Sequence, residues 1–253
     1  MTHYKRLTLA TAVALATASA HAAPVFWTDW TGGDLDAGSG FQAQGTITTS
    51  TSSVTVTYTN ANGIGFYQPS GGTDYWVNRN SGRDDSISPY TSAQVDNSPT
   101  GTDIIALRYA GTQTLQFSQS IANPVFGFVS LNGNGYAFDQ DFEIVSAGGA
   151  DGNACGYWGC GTSYKNVVDL GGGVFEYQLL GTGEPHGTLR FTGAFDTVSW
   201  RSLSSENWNG FTVGVQGTAI EVFPPNPSAL PEPTTLALLG LSLAGLGFTR
   251  RRA

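Results

Sequence analysis

Val54, Val56 and Tyr58 alternate with Thr55, Thr57 and Thr59. A repeat of two puts the apolar set on one side of an extended chain and the threonines on the other, which a helix cannot do. The stretch Thr46–Thr59 therefore predicts a half-buried strand. Asn62-Gly63 predicts a turn, with Ile64–Tyr67 pairing back. Short runs of the same kind recur along the chain. They are Tyr75–Val77, Ile104–Tyr109, Thr114–Phe117, Val125–Leu131, Tyr136–Val145, Val174–Leu180, Thr188–Phe191, Thr197–Leu203, Phe211–Val215 and Thr218–Val222. Asn132-Gly133-Asn134-Gly135 carries the strongest hairpin signal, and polar Arg79–Pro99 predicts a long loop. No run keeps a 3.6-residue period. Glycine supplies 34 of 253 residues, about twice its usual share, and charged residues only 12%. Aromatic content of 12% argues against disorder. The expected class is all-β, a β-sandwich or jelly-roll-like ectodomain.

The two ends are of a different kind. Lys5 and Arg6 precede apolar Leu7–Ala18, and Ala20-His21-Ala22 fits a cleavage site, so residues 1–22 read as a signal peptide for export. Residues 23–222 form the expected ectodomain. Residues 223–233 hold Pro224, Pro225, Pro227, Pro231 and Pro233 and predict an extended linker. Residues 234–253 form an uncharged apolar run, Thr234–Phe248, closed by Arg250, Arg251 and Arg252. Fifteen helical residues span roughly 22 Å against a hydrocarbon core of ~30 Å, so a single short transmembrane helix is expected, with its arginines cytoplasmic.

The order Pro231-Glu232-Pro233, apolar Leu- and Gly-rich run, terminal Arg cluster resembles the PEP-CTERM sorting signal. Leu230 stands where that pattern usually has Val or Ile. The resemblance implies a Gram-negative source that makes exopolysaccharide. It also implies recognition and trimming near Pro231–Pro233 by exosortase, a membrane protease-transpeptidase. Pro231, Glu232, Pro233 and Arg250–Arg252 would then be substrate for another enzyme. The rest of the chain resembles no characterised enzyme family across its length.

Charge must be counted without the ends. Five of the eleven basic residues lie there, which leaves residues 23–233 with 6 basic groups against 19 acidic ones, a net −13. Such a surface repels nucleic acid and anionic headgroups and can attract divalent cations. His186 is the sole histidine of the mature chain, since His3 and His21 precede the cleavage site, so a multi-histidine zinc site is excluded. Nucleotide binding has no Gly-rich phosphate loop to support it, and no Ser sits in a G-x-S-x-G elbow.

Several groups remain as candidates for chemistry. Asp139, Asp141 and Glu143 alternate with Phe138, Phe142 and Ile144, which predicts three carboxylates on one face of one strand, ~6.6 Å apart. The run resembles the acidic strand of laminarinase-type jelly-roll glycosidases, with Asp139 where that family has a nucleophilic Glu. The readings are a solvated acidic face, a calcium site or a glycoside hydrolase pair. Asp34 and Asp36, before Gly38 and Gly40, loosely suggest a calcium loop, with a turn the better reading. Glu184, Pro185 and His186 predict a surface turn between strands, with a general base as the alternative. Export favours a disulfide between Cys155 and Cys160 across Gly156-Tyr157-Trp158-Gly159, which would present Trp158 for stacking against sugars.

The function expected is that of an exported, non-catalytic protein. It is held in the inner membrane facing the periplasm, cut by an exosortase-type enzyme and delivered to the cell surface or exopolysaccharide matrix, with no cofactor unless calcium. Two alternatives use the same domain. One is a glycan-binding module built on Trp27, Trp30, Trp76, Trp158 and Trp208, although Trp27 and Trp30 in Phe26–Trp30 fit a core-closing cluster better. The other is the hydrolase on Asp139, Asp141 and Glu143.

Overall fold

A computed structural model describes residues 23–33 and 40–225. The expected signal peptide, Asp34, Asp36, the Pro-Glu-Pro motif, the apolar run and the terminal arginines lie outside the described residues. In chain order the strands are β1 (Phe26–Trp27), β2 (Asp29–Gly33), β3 (Phe41–Thr48), β4 (Ser53–Asn60), β5 (Phe66–Gln68) and β6 (Ile104–Leu107). There follow β7 (Gly111–Ala122), β8 (Val125–Val129), β9 (Gly135–Phe138), β10 (Phe142–Ala147) and β11 (Gly161–Gly171). The last are β12 (Val174–Gly183), β13 (Gly187–Phe191), β14 (Ala194–Ser202), β15 (Asn209–Val215) and β16 (Gly217–Thr218), then a helical turn, α1 (Ala219–Val222).

The strands form two antiparallel sheets, and the all-β sandwich expected from the alternating pattern is what the chain adopts. The larger sheet runs β11-β12-β9-β14-β7-β4-β3-β2, with β16 also on β7. The smaller runs β10-β13-β8-β15-β6-β5, with β1 on β15. Val54, Val56 and Tyr58 are fully buried between them, while Thr55 and Thr59 face water. The centre is aromatic. Trp200 lies 5.3 Å from Phe126 and 5.0 Å from Phe211, and Phe138 lies 5.0 Å from Phe191. Side chains of this size are each worth roughly 1.5–3 kcal/mol when buried, and their edge-to-face contacts add to that.

Strands β6, β8 and β15 are buried on both faces. The connection between β5 and β6 covers the outer one. Trp76 and Tyr90 within it are fully buried, and the Trp76 ring lies against Gly127, where a Cβ would come within 3.1 Å of it. Trp76 Nε1 donates to the Asp103 carbonyl at 3.1 Å. Arg83 pairs with Asp74 at 2.7 Å and donates to the carbonyls of Pro99 and Gly101. The predicted loop over 79–99 is thus an irregular third layer, and Tyr75–Val77 is turn rather than strand.

Other expectations change for physical reasons. Asn132–Gly135 does not close a hairpin, because β8 belongs to the smaller sheet and β9 to the larger; the segment carries the chain between layers. The predicted strand Tyr136–Val145 is broken at Asp139–Asp141, where the chain crosses back. Phe138 and Phe142 keep their inward side, 5.5 Å apart, but on opposite sheets. β5 pairs with β6 instead of folding back on β4. The predicted strand Thr218–Val222 is β16 followed by α1, because Thr218 and Glu221 form a capping box.

Candidate functional site

The predicted disulfide joins Cys155 and Cys160. Between them Gly156 and Gly159 exchange backbone hydrogen bonds, each 3.1 Å, so the loop closes as a tight turn with Tyr157 and Trp158 at its tip. The Arg79 N–H donates to the Cys155 carbonyl at 2.9 Å and ties this turn to the covering layer. Trp158 is 48% exposed. Its ring meets Tyr157 at 4.9 Å and Trp208 at 6.4 Å. Tyr75 lies 5.1 Å from both Tyr157 and Trp208, and Phe66 lies 5.0 Å from Trp208. Four half-buried rings from four separate segments, Phe66, Tyr75, Tyr157 and Trp208, therefore gather beside one half-exposed tryptophan.

The other tryptophans proposed for sugar stacking are placed differently. Trp27, Trp30 and Trp76 are buried, and each indole N–H has an internal acceptor: the Asn97 carbonyl at 3.3 Å, Thr212 Oγ1 at 3.1 Å and the Asp103 carbonyl. They are packing residues with no face left for a ligand. Sequence reasoning missed Tyr75, Tyr157 and Phe66 as companions of Trp158, because their approach depends on the irregular layer.

Beneath the disulfide turn, His186 is buried, not on a surface turn as the sequence suggested. A Cβ at position 156 would collide with its ring, which fixes Gly156 there. Burial pulls the His186 pKa down to about 4, against the Glu184 carbonyl and carboxylate, which both favour the cation. Nδ1 lies 2.8 Å from the Glu184 carbonyl, and Nε2 has no partner. A neutral ring donating from Nδ1 fits both facts, since Nε2 is then a bare acceptor. Glu184 itself accepts from Ser130 Oγ and, at 2.8 Å, from Asn132 Nδ2. With no nucleophile on the ring and its carboxylate engaged elsewhere, the Glu184–His186 pair holds a turn together.

The acidic run is likewise dismantled. Asp139 and Asp141 sit in the crossing between sheets and only Glu143 is on a strand, so the three carboxylates do not share one strand face. Asp141 pairs with Lys165 at 2.8 Å and Glu143 with Arg190 at 3.0 Å. These four residues, with Phe142 and Thr192, line a surface hollow of about 250 Å³. Each of the two carboxylates there is matched by a cation. Among the described residues no group of three or more His, Cys, Asp or Glu side chains is arranged to hold a metal ion.

Residues 229–252 match the family described as the PEP-CTERM protein-sorting motif. The chain carries a PEP-CTERM sorting signal. That motif implies export and processing by exosortase, a membrane enzyme of Gram-negative bacteria. No curated protein and no solved structure matches the chain. Among the described residues no helix is long and apolar enough to cross a membrane, and the run at 234–248 lies outside them.

Proposed function

We propose that this chain is non-catalytic cargo of the PEP-CTERM system. Residues 1–22 direct its export, residues 234–253 hold it in the inner membrane with the sandwich in the periplasm, and exosortase cuts near Pro231–Pro233. The released domain is delivered to the cell envelope or the exopolysaccharide matrix. The observation that carries this reading is the PEP-CTERM motif over 229–252, placed directly after the sandwich. The ion-paired carboxylates and the neutral, buried His186 support the non-catalytic part, because neither offers a free acid–base pair. Intact-mass measurement of the extracellular form tests the proposal. The expected product begins at Ala23 and lacks Leu236–Arg252; recovery of an extracellular protein that still bears those residues refutes it.

A second reading, glycan contact in the matrix, is favoured by Trp158. A half-exposed indole backed by Tyr157, Trp208 and Tyr75 suits the apolar face of a sugar ring. Neither calcium nor any other cofactor has a role in it. Trp158→Ala is expected to reduce retention on the producer's own polysaccharide at least fivefold. Equal retention of the two proteins rules this reading out and leaves the sorting proposal standing.

A further inference from the structure

Strand β11 ends the larger sheet, so its outer backbone groups have no strand partner among the described residues. The other sheet ends are blunted in ways that proteins use against edge pairing. β2 carries a register break between Trp30 and Gly32, and β5 is three residues long. The β10 edge is covered by Lys165, whose ammonium donates to the Phe142 carbonyl at 3.0 Å. β11 is broken only at its far end, by a register shift between Asp169 and Gly171, and its one lysine, Lys165, is turned to the β10 edge. The strand is eleven residues long, pairs regularly with β12 from Gly161 to Asp169, and leaves Tyr164, Val167 and Leu170 exposed by 49–61%.

From this geometry we infer that β11 pairs antiparallel with β11 of a second copy of this chain, joining two larger sheets across a twofold axis at Val167. A twofold axis perpendicular to the sheet keeps each face on its own side, so paired residues must share a face. Lys165, Val167 and Asp169 do share one, since they lie opposite Leu179, Tyr177 and Phe175 of β12. Centring on Val167 sets Lys165 of each copy opposite Asp169 of the other, and Tyr164 beside Leu170. Centring on Lys165 would oppose two lysines. Centring on Asn166 or Val168 leaves both charges facing uncharged residues. One register alone satisfies the charges, and the same register covers the exposed apolar side chains. Opposite charges directly across a ladder stabilise it and like charges destabilise it.

Lys165 also pairs with Asp141 in its own chain. The test therefore uses Asp141→Asn throughout, which keeps the oxygen that accepts from the Phe142 N–H. The full chain is examined in detergent by sedimentation equilibrium, so that any association through the sorting segment is common to all forms. The D141N protein is expected to dimerise. D169K and K165D are each expected to weaken the dimer about tenfold, and K165D combined with D169K to restore it to within about threefold. As a second measurement, Val167→Cys places two thiols across the axis within disulfide reach, and is expected to give a covalent dimer that D169K suppresses. A D141N protein that stays monomeric at 100 µM, a double variant no better than the single ones, or cross-linking indifferent to D169K would each overturn the inference.

Discussion

His186 gives the fold a pH dependence whose sign and size follow from its surroundings. Unfolded, the imidazole titrates near 6.5; folded, burial holds it at about 4. Between those values the unfolded chain binds a proton that the folded chain refuses. Stability from this group is therefore complete above pH 6.5, falls as the pH drops through the window and is gone below 4. A gap of roughly 2.5 pH units at 1.36 kcal/mol each amounts to about 3 kcal/mol. Asp103 works the other way. Burial raises its carboxyl to about 6, and a nearby Asp29 adds to the rise, against the Trp30 N–H that favours the anion. Its contribution is whole at low pH and lost as the pH rises through 6. The wild-type profile mixes the two effects, so the measurement is a difference. Urea unfolding followed by tryptophan fluorescence, at intervals from pH 8 to pH 4, is to be compared between wild type and His186→Gln. Both keep Asp103, and only one can titrate at 186. The wild type is expected to lose about 3 kcal/mol more than the variant over that range. Parallel profiles would show that position 186 is wet, and would refute the account of the site beneath the disulfide turn.

Three further outcomes are expected. Trp200→Ala removes the hub of the aromatic core and should cost about 3–5 kcal/mol in chemical denaturation, with the midpoint shifted and the slope nearly unchanged. Replacing both Cys155 and Cys160 by Ser should cost about 2 kcal/mol, little because the closed loop is small, as read from thermal unfolding with and without reductant. Thr218→Ala removes the hydroxyl that accepts from the Glu221 N–H at 3.3 Å and should cost about 1 kcal/mol by the same assay. Glu221 is itself held at about 2: burial opposes its ionisation, but hydrogen bonds from Thr51, Thr218 and Thr49 outweigh that. Its contribution is present at neutral pH and lost as the pH falls from 4.5 through 2.

What could be read in the sequence was the local alternation. Val54–Thr59 announced a strand and its inward face, and the inward side of Phe138 and Phe142 was right. The pattern could not say which sheet a strand joins. Asn132–Gly135 has the composition of a hairpin turn and serves as a crossover, because pairing is decided by partners far along the chain. β11 escaped notice because its residues are exposed on both faces and so show no alternation of burial to detect. The capping box at Thr218–Glu221 is legible as a threonine followed three residues later by a glutamate, and it outweighs the short apolar run that predicts a strand there. The disulfide and Trp158 followed from spacing and export. The burial of Trp76 did not, since it depends on Gly127 offering a flat place on the sheet.

The capping-box glutamate has a spatial consequence. Glu221, four residues before the last described residue, is fastened to Thr49 and Thr51 in the turn between β3 and β4. From that turn β4 runs eight residues to Asn60, about 25 Å at ~3.3 Å per residue. The chain then reaches Phe66, which touches Trp208. The body thus has two poles, one moored to the departing tail and one bearing the aromatic rings. Ten residues separate Val222 from Glu232, a tether that cannot exceed about 35 Å. In the membrane-held form proposed above, that tether would keep the moored pole within reach of the lipid and leave the aromatic pole the farther of the two from the point of attachment.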